Sequence, residues 1–272
     1  MDFSVLISVY YKEKPQYLKQ SLNSVFENSV MPTEVVLVKD GLLTPELDQV
    51  INEFCDKYDN LKVVELKENQ GLGIALKIGT EHCKYEFIAR MDTDDICEKD
   101  CFKTQLEVFK KNPNASLVGG YITEFVDDPT NIVSMRKVPT GYEQIKKYAK
   151  KRNPINHVTA MFRKSDVLEV GGYQKVKEIG YEDYDLWIRL IMANKLIINV
   201  ENVLVNFRVG KDMYKRRGDK KRLKTALFFR KKLWKIGYYS FFAYIYYSLQ
   251  TIAFFCVPAF VRKLLYKTIL RK

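Results

Sequence analysis

The chain has 272 residues, 47% of them hydrophobic, which is enough to bury a sizeable core and argues against a disordered chain. Its formal charge of +12 is concentrated: residues 211–272 hold 17 Lys and Arg against 2 Asp, whereas residues 1–210 hold 28 bases against 31 acids. The slightly acidic body lacks a nucleic-acid motif, which argues against a nucleic-acid partner. Five cysteines without a C-x-x-C pair, and only two histidines, argue against a Cys/His zinc site and fit a reducing compartment. The N-terminus, MDFSVLISVYYKEK, has no basic start and no small-residue cleavage site, so it reads as mature sequence.

In chain order, apolar runs at Phe3–Val9, Glu34–Val38, Leu61–Leu66, Glu86–Met91 and Ser116–Tyr121 predict strands. Helical spacing fills the gaps. Pro15 to Glu27 carries Leu18, Leu22, Val25 and Phe26; Pro45 opens a second segment through Leu47, Val50, Ile51 and Phe54; Gly71 to Cys83 is a third. The alternation predicts an α/β fold, a Rossmann-like, mostly parallel sheet with helices on both faces. After a helix at Glu98–Lys110, the second half is less regular. Asn131–Val138 and His157–Arg163 predict strands, Lys164–Val170 a helix ended by Gly171-Gly172, Tyr184–Ala193 a helix, and Val203–Val209 a last strand. Composition shifts after Gly210, which suggests a body at 1–210 and a helical, basic and aromatic tail at 211–272.

Ligands on such sheets bind outside the carboxyl ends of the strands. Asp40 follows the second strand and Asp92 the fourth, so acids from separate strands face one crevice. Asp92, Thr93, Asp94 and Asp95 read either as an acidic turn capping the next helix or as a divalent-metal site. A cap needs one such residue, and three carboxylates stay ionised together only beside a cation or strong donors. A second crowd, Glu182, Asp183 and Asp185, reads either as complement to a helix N-terminus or as a general base at a cleft. Trp187 is either a sugar-stacking surface or a core aromatic. Gly71 and Gly73 lack the third glycine of a dinucleotide fingerprint and suit a tight strand-to-helix turn.

In order along the chain, SVLISVYYKE, VVLVKDG, NQGLGIALKIG, YEFIARMDTDD, NPINHVTAMFRKS and GGYQKVKEIGYEDYDLWIRL resemble glycosyltransferase family 2 over about residues 3–210. They are most similar to bacterial enzymes of capsule, exopolysaccharide and O-chain lipopolysaccharide synthesis. The resemblance implies a GT-A fold, a nucleotide-sugar donor (a UDP-hexose or UDP-N-acetylhexosamine), Mn2+ or Mg2+, and inversion at the anomeric carbon. It places Glu13 and Asp40 near the nucleobase with Tyr11 beside them. Asp92 and Asp94 match the D-x-D motif that spans Thr93: Asp92 toward ribose and diphosphate, Asp94 as the surest metal ligand. Arg90 becomes an ion-pair partner of the acids and Asp183 the catalytic base, with Glu182 beside it. Lys77 stands where relatives often carry Asn, either touching donor or solvated. His157 is either structural or a diphosphate or acceptor contact. The loop from Arg208 to Gly218 either folds its bases over phosphates or is an ordinary basic loop.

Tyr238 to Val261 is uncharged for 24 residues and flanked by basic clusters, but it holds five tyrosines and Pro258. A helix lying in, or dipping shallowly into, an anionic leaflet suits this pattern better than a span. The expected setting is therefore the cytoplasmic face of a bacterial inner membrane, with a lipid-linked saccharide as acceptor. Two other readings stay open: a nucleotidyltransferase, although SVYYKEKP offers no Gly-rich triphosphate loop, and a non-catalytic nucleotide-sugar binder.

Overall fold

The computed structural model describes residues 1–175, 180–210 and 220–257. Strands β1 (Phe3–Val9), β2 (Glu34–Lys39), β3 (Leu61–Glu65) and β4 (Phe87–Met91) form an all-parallel half-sheet in the order β3–β2–β1–β4. Helices α1 (Pro15–Phe26), α2 (Pro45–Lys57) and α3 (Leu72–His82) make the crossovers. Pro15 and Pro45 open α1 and α2, where a missing N–H costs nothing. β1 and β2 read as almost unbroken apolar runs because both of their faces are covered, whereas the edge strand β3 exposes Lys62 and Glu65. Phe3, Val5, Ile7 and Val9 enter one core, whereas Leu6, with Val36 and Val38, enters the other. On that second face α3 lies close to the sheet. A Cβ at Gly79 would stand 2.3 Å from Leu6 Cδ1, so only glycine lets the helix settle there.

The remaining described strands are β5 (Ile96–Cys97), β6 (Ala115–Phe125), β7 (Ile132–Arg136), β8 (Met161–Arg163) and β9 (Leu196–Arg208). They continue the sheet as β4–β8–β6–β9–β5, with β7 on β6. β8 is antiparallel to β4 and β6, and β6 runs parallel to β9. Around them lie α4 (Cys101–Lys111), α5 (Tyr142–Tyr148), α6 (Lys164–Glu169) and α7 (Glu182–Met192).

Among the sequence expectations that shift, three bear on the site. His157–Arg163 is not one strand: His157–Thr159 is a 3-10 turn and only Met161–Arg163 pairs. Thr159 Oγ1 donates to Asn156 O at 2.8 Å and accepts Gly120 N–H at 3.0 Å, which bends the backbone out of the ladder. The last strand begins seven residues early, at Leu196; its pairing with β6 slips at several points, near the polar segment Asn199–Asn202. α7 begins two residues early, which brings Glu182 and Asp183 into its first turn.

The tail contributes α8 (Lys220–Lys235) and α9 (Phe241–Cys256), an antiparallel pair joined at Gly237, whose φ of +81° suits a residue without a Cβ. Trp234 stacks on Tyr244 with centroids 5.3 Å apart, and Phe229 and Leu233 of α8 are buried in the second core. α9 turns Phe242, Ile245, Leu249 and Ile252 outward along one stripe, with Phe242 83% exposed. Among the described residues no helix is long and apolar enough to cross a membrane. Residues 258–261 of the uncharged stretch, its following basic flank and residues 211–218 of the basic loop lie outside the described residues.

Candidate active site

The acidic turn follows β4 at the carboxyl edge, where β1, β2 and β4 end side by side. Its backbone is fixed from several directions. Ser21 Oγ donates to Asp92 O at 2.7 Å, and Arg208 Nε donates to Asp94 O at 2.9 Å. Thr93 Oγ1 donates to Glu13 Oε2 at 2.6 Å, tying the end of β4 to the loop after β1. Asp95 Oδ1 accepts Arg208 N–H at 2.8 Å, while its Oδ2 is buried without a hydrogen-bond partner. The Arg90 guanidinium, almost fully buried, donates to the Asp92 carboxylate.

Oxygens of Asp92, Asp94 and Asp95 lie within 4.8 Å of one another. This crowding shows in their protonation. Burial, then the charges of Asp92 and Glu13, push the Asp94 carboxyl up to about 7. Burial and the charges of Asp94 and Asp92 hold Asp95 well above the usual carboxylate range. Neither residue is a helix cap, since β5 intervenes and Asp100 precedes α4. The converging carboxylates and the orphaned Asp95 oxygen suit a hard, oxygen-ligated divalent cation.

Beside the turn is a cleft of about 520 Å³ whose walls include Tyr10, Lys12, Glu13, Tyr17, Asp94 and Arg208. Several expected donor contacts sit differently. Tyr11 is exposed against Tyr10 and outside this lining; Tyr10 and Tyr17 take the wall. Asp40 is buried, and its two carboxylate oxygens accept Gln70 N–H at 2.7 Å and Gly71 N–H at 3.0 Å. It therefore fastens the turn into α3. Gly41 follows at φ +86°, where a Cβ would meet Asn69 N at 2.6 Å. Lys77 is exposed on α3. Arg208 donates to Asp94 O, Asp127 O and Gln20 Oε1 and lies between the Tyr17 and Phe125 rings at 4.0 and 4.5 Å, so its guanidinium supports the acidic turn from behind.

The second acidic segment divides its carboxylates. Glu182 Oε2 accepts Gly180 N–H at 2.7 Å. Asp185 pairs with Arg189 at 3.0 Å and with Lys232 of α8. Asp183 accepts Tyr184 N–H at 2.7 Å and Asn153 Nδ2–H at 2.5 Å, and it faces a cleft. Burial, then the Glu182 charge, push its carboxyl up to about 6, which is poised for a base near neutral pH. Trp187 is fully buried in the second core, so its indole is a core aromatic and not a sugar platform. His157 lies against it, 3.0 Å from Tyr173 Oη; burial and the nearby Arg90 charge keep the imidazole neutral.

The Asp183 cleft, about 420 Å³, is also lined by Arg136, Lys151, Arg152, Asn153 and Arg230. These residues were missed from sequence because each is one Lys, Arg or Asn among many. Only folding brings β7, the turn after α5 and α8 together.

The sheet and its helices match what comparison finds. Residues 4–171 match the profile of glycosyl transferase family 2. An uncharacterized glycosyltransferase of Haemophilus influenzae is 38% identical over the whole of both chains. The UDP-Gal:alpha-D-GlcNAc-diphosphoundecaprenol beta-1,3-galactosyltransferase of Escherichia coli is 33% identical over 99% of this chain and 97% of its own. A mannosyltransferase from Pyrobaculum calidifontis, solved with GDP-Man and Mn2+, superposes with a TM-score of 0.66 at 16% identity over 98% of this chain and 75% of that one, a likeness of GT-A fold. By that profile match and by relatives aligned over nearly their whole length, the chain belongs to glycosyl transferase family 2 and is a glycosyltransferase.

Proposed function

We propose that the enzyme transfers a sugar, with inversion, from a nucleotide-diphosphate donor to a hydroxyl of a lipid-linked saccharide in surface-polysaccharide synthesis. The observation that carries the reading is the convergence of the Asp92, Asp94 and Asp95 carboxylates at the carboxyl end of β4, beside a cleft that can take a donor. A UDP-hexose or UDP-N-acetylhexosamine is the favoured donor, and the name of the Escherichia coli relative supports a lipid-diphosphate acceptor.

Asp94 and Asp92 would hold Mn2+ or Mg2+, and the Mn2+ in the Pyrobaculum calidifontis structure supports this choice. When bound, such an ion would supply positive charge against the negative charge that develops on the departing diphosphate. Arg90 keeps the Asp92 carboxylate oriented, and Thr93 locks Glu13 at the mouth of the donor cleft. Asp183 accepts the proton of the attacking hydroxyl while Asn153 and the Tyr184 N–H hold its oxygens in place. Attack from the face opposite the diphosphate inverts the anomeric carbon. The apolar stripe of α9 rests on the cytoplasmic leaflet of the inner membrane, among anionic headgroups.

The test is transfer from a panel of nucleotide-sugars to a GlcNAc-diphosphate-lipid acceptor, with Mn2+ or with chelator. Product that requires the metal, and is lost in Asp94→Ala and Asp183→Asn, is the expected result. Release of pyrophosphate from a nucleoside triphosphate would point instead to nucleotidyl transfer. Full transfer in both variants would sink the assignment.

A further inference from the structure

The two clefts carry different charge. The donor-side cleft is balanced: its lining includes Lys12, Lys14 and Arg208 against Glu13, Asp94 and Asp127. The Asp183 cleft is not. Arg136, Lys151, Arg152 and Arg230 line it, and Asp183 is the one acidic side chain among its described lining residues. The cations are assembled from three elements. Arg136 ends β7 and donates to Asn153 O at 3.3 Å. Arg230 of α8 donates to Lys150 O at 2.9 Å and Lys151 O at 2.6 Å, clamping the turn that carries Lys151 and Arg152. Arg152 lies over the Tyr148 ring at 5.8 Å. Ring and carbonyl contacts hold Arg152 and Arg230 in place, and their charges, with that of exposed Lys151, give an entering anion a prepared field.

An acceptor must bring its hydroxyl to Asp183, so any anion that the cations recognise lies within about one sugar ring of the attacked oxygen. We infer that the cleft formed by Arg136, Lys151, Arg152 and Arg230 binds the diphosphate of the acceptor itself, and that the enzyme therefore selects a sugar attached directly to a lipid diphosphate. This deepens the proposed function and rests on it. The volume, about 420 Å³, is in the range of small-molecule sites. The route for the lipid is consistent: Arg230 sits on α8, and α8 packs on α9, whose outward stripe of Phe242, Ile245 and Leu249 is apolar.

Phosphate esters also occur in bilayer headgroups, so the test separates the two sources. Undecyl diphosphate, which carries no sugar, is titrated into the full chain in chelator, so that no metal at the acidic turn competes for it. Wild type is expected to bind, and the double variant Lys151→Gln/Arg152→Gln to bind about tenfold or more weakly. In turnover, kcat/KM is compared for undecyl diphosphate-linked GlcNAc and undecyl GlcNAc without phosphate. The ratio should favour the diphosphate in wild type and fall about tenfold in the variant, chiefly through KM. The variant is also tested for binding to vesicles of phosphatidylcholine and phosphatidylglycerol. If it loses vesicle binding but keeps undecyl diphosphate binding, the cations serve the bilayer and the inference is wrong. Wild type that transfers equally well to both acceptors also overturns it, with the transferase reading intact. Wild type that binds undecyl diphosphate tightly in this cleft but transfers from no donor in the panel supports the cleft assignment and faults the transfer reading instead.

Discussion

Two stretches of this chain crowd three acids together, and folding treats them in opposite ways. At Asp92–Asp95 the carboxylates converge within 4.8 Å, leaving one buried oxygen unpartnered and Asp94 with its carboxyl at about 7. At Glu182–Asp185 they diverge. One binds a backbone N–H, one faces the cleft on an Asn hinge, and one joins Arg189 and Lys232. Local acidity alone therefore does not mark a metal site. Convergence creates a deficit of positive charge that an ion can fill, whereas divergence gives each carboxylate a separate task.

The largest test of that contrast is Asp183→Asn, which removes the base but keeps its shape. It should lower kcat by about 10²–10⁴. Because the free-carboxyl value is lifted to about 6 in the fold, ionised Asp183 weakens the folded state as pH rises from about 4 through 6. The variant should therefore melt a few degrees higher than wild type at pH 8, with the gain shrinking toward pH 4. A loss of stability at pH 8 would contradict a buried base held under strain of charge.

Asp94→Ala should lower kcat/KM by several kcal/mol of transition-state stabilisation, on the order of 10²–10³-fold. Its residual rate should be insensitive to chelator. Asp185→Ala belongs to the divergent group and should act on stability. Leaving Arg189 and Lys232 without their buried carboxylate should cost about 3 kcal/mol, read from the urea midpoint at constant slope. The pH profile of kcat/KM should climb about tenfold per unit below pH about 6 and level off above it, since the base must be ionised. Smallest is Glu182→Gln, which removes the like charge beside Asp183 and should move that acid limb to lower pH by a fraction of a unit. An unmoved limb would assign the rise to another group.

What the sequence made legible followed physical regularity. β1 matches its expected bounds, Phe3–Val9, because a strand buried on both faces leaves an unbroken apolar run. The acidic turn and its place after β4 were legible because carboxylates at the end of a buried strand are costly and conspicuous. Other features depended on distance in the chain. Nothing near Asp40 announces that Gln70 and Gly71 will take its oxygens, and nothing near Arg208 announces Tyr17, Gln20 and Asp127. Trp187 had two local readings because amphipathic spacing places an aromatic on a helix face without saying what covers that face. The cover here is His157, Tyr173 and their neighbours. Arg136, Arg152 and Arg230 were silent for the same reason, as cations among 45.

The Asp185–Lys232 bond has a mechanical side. Asp185 stands two residues from Asp183, the proposed base, on the same helix turn, and Lys232 belongs to the pair of helices that presents apolar rings outward. A displacement of those helices, such as the proposed seating on a lipid leaflet, would reach the helix turn that holds Asp183 through this one ion pair.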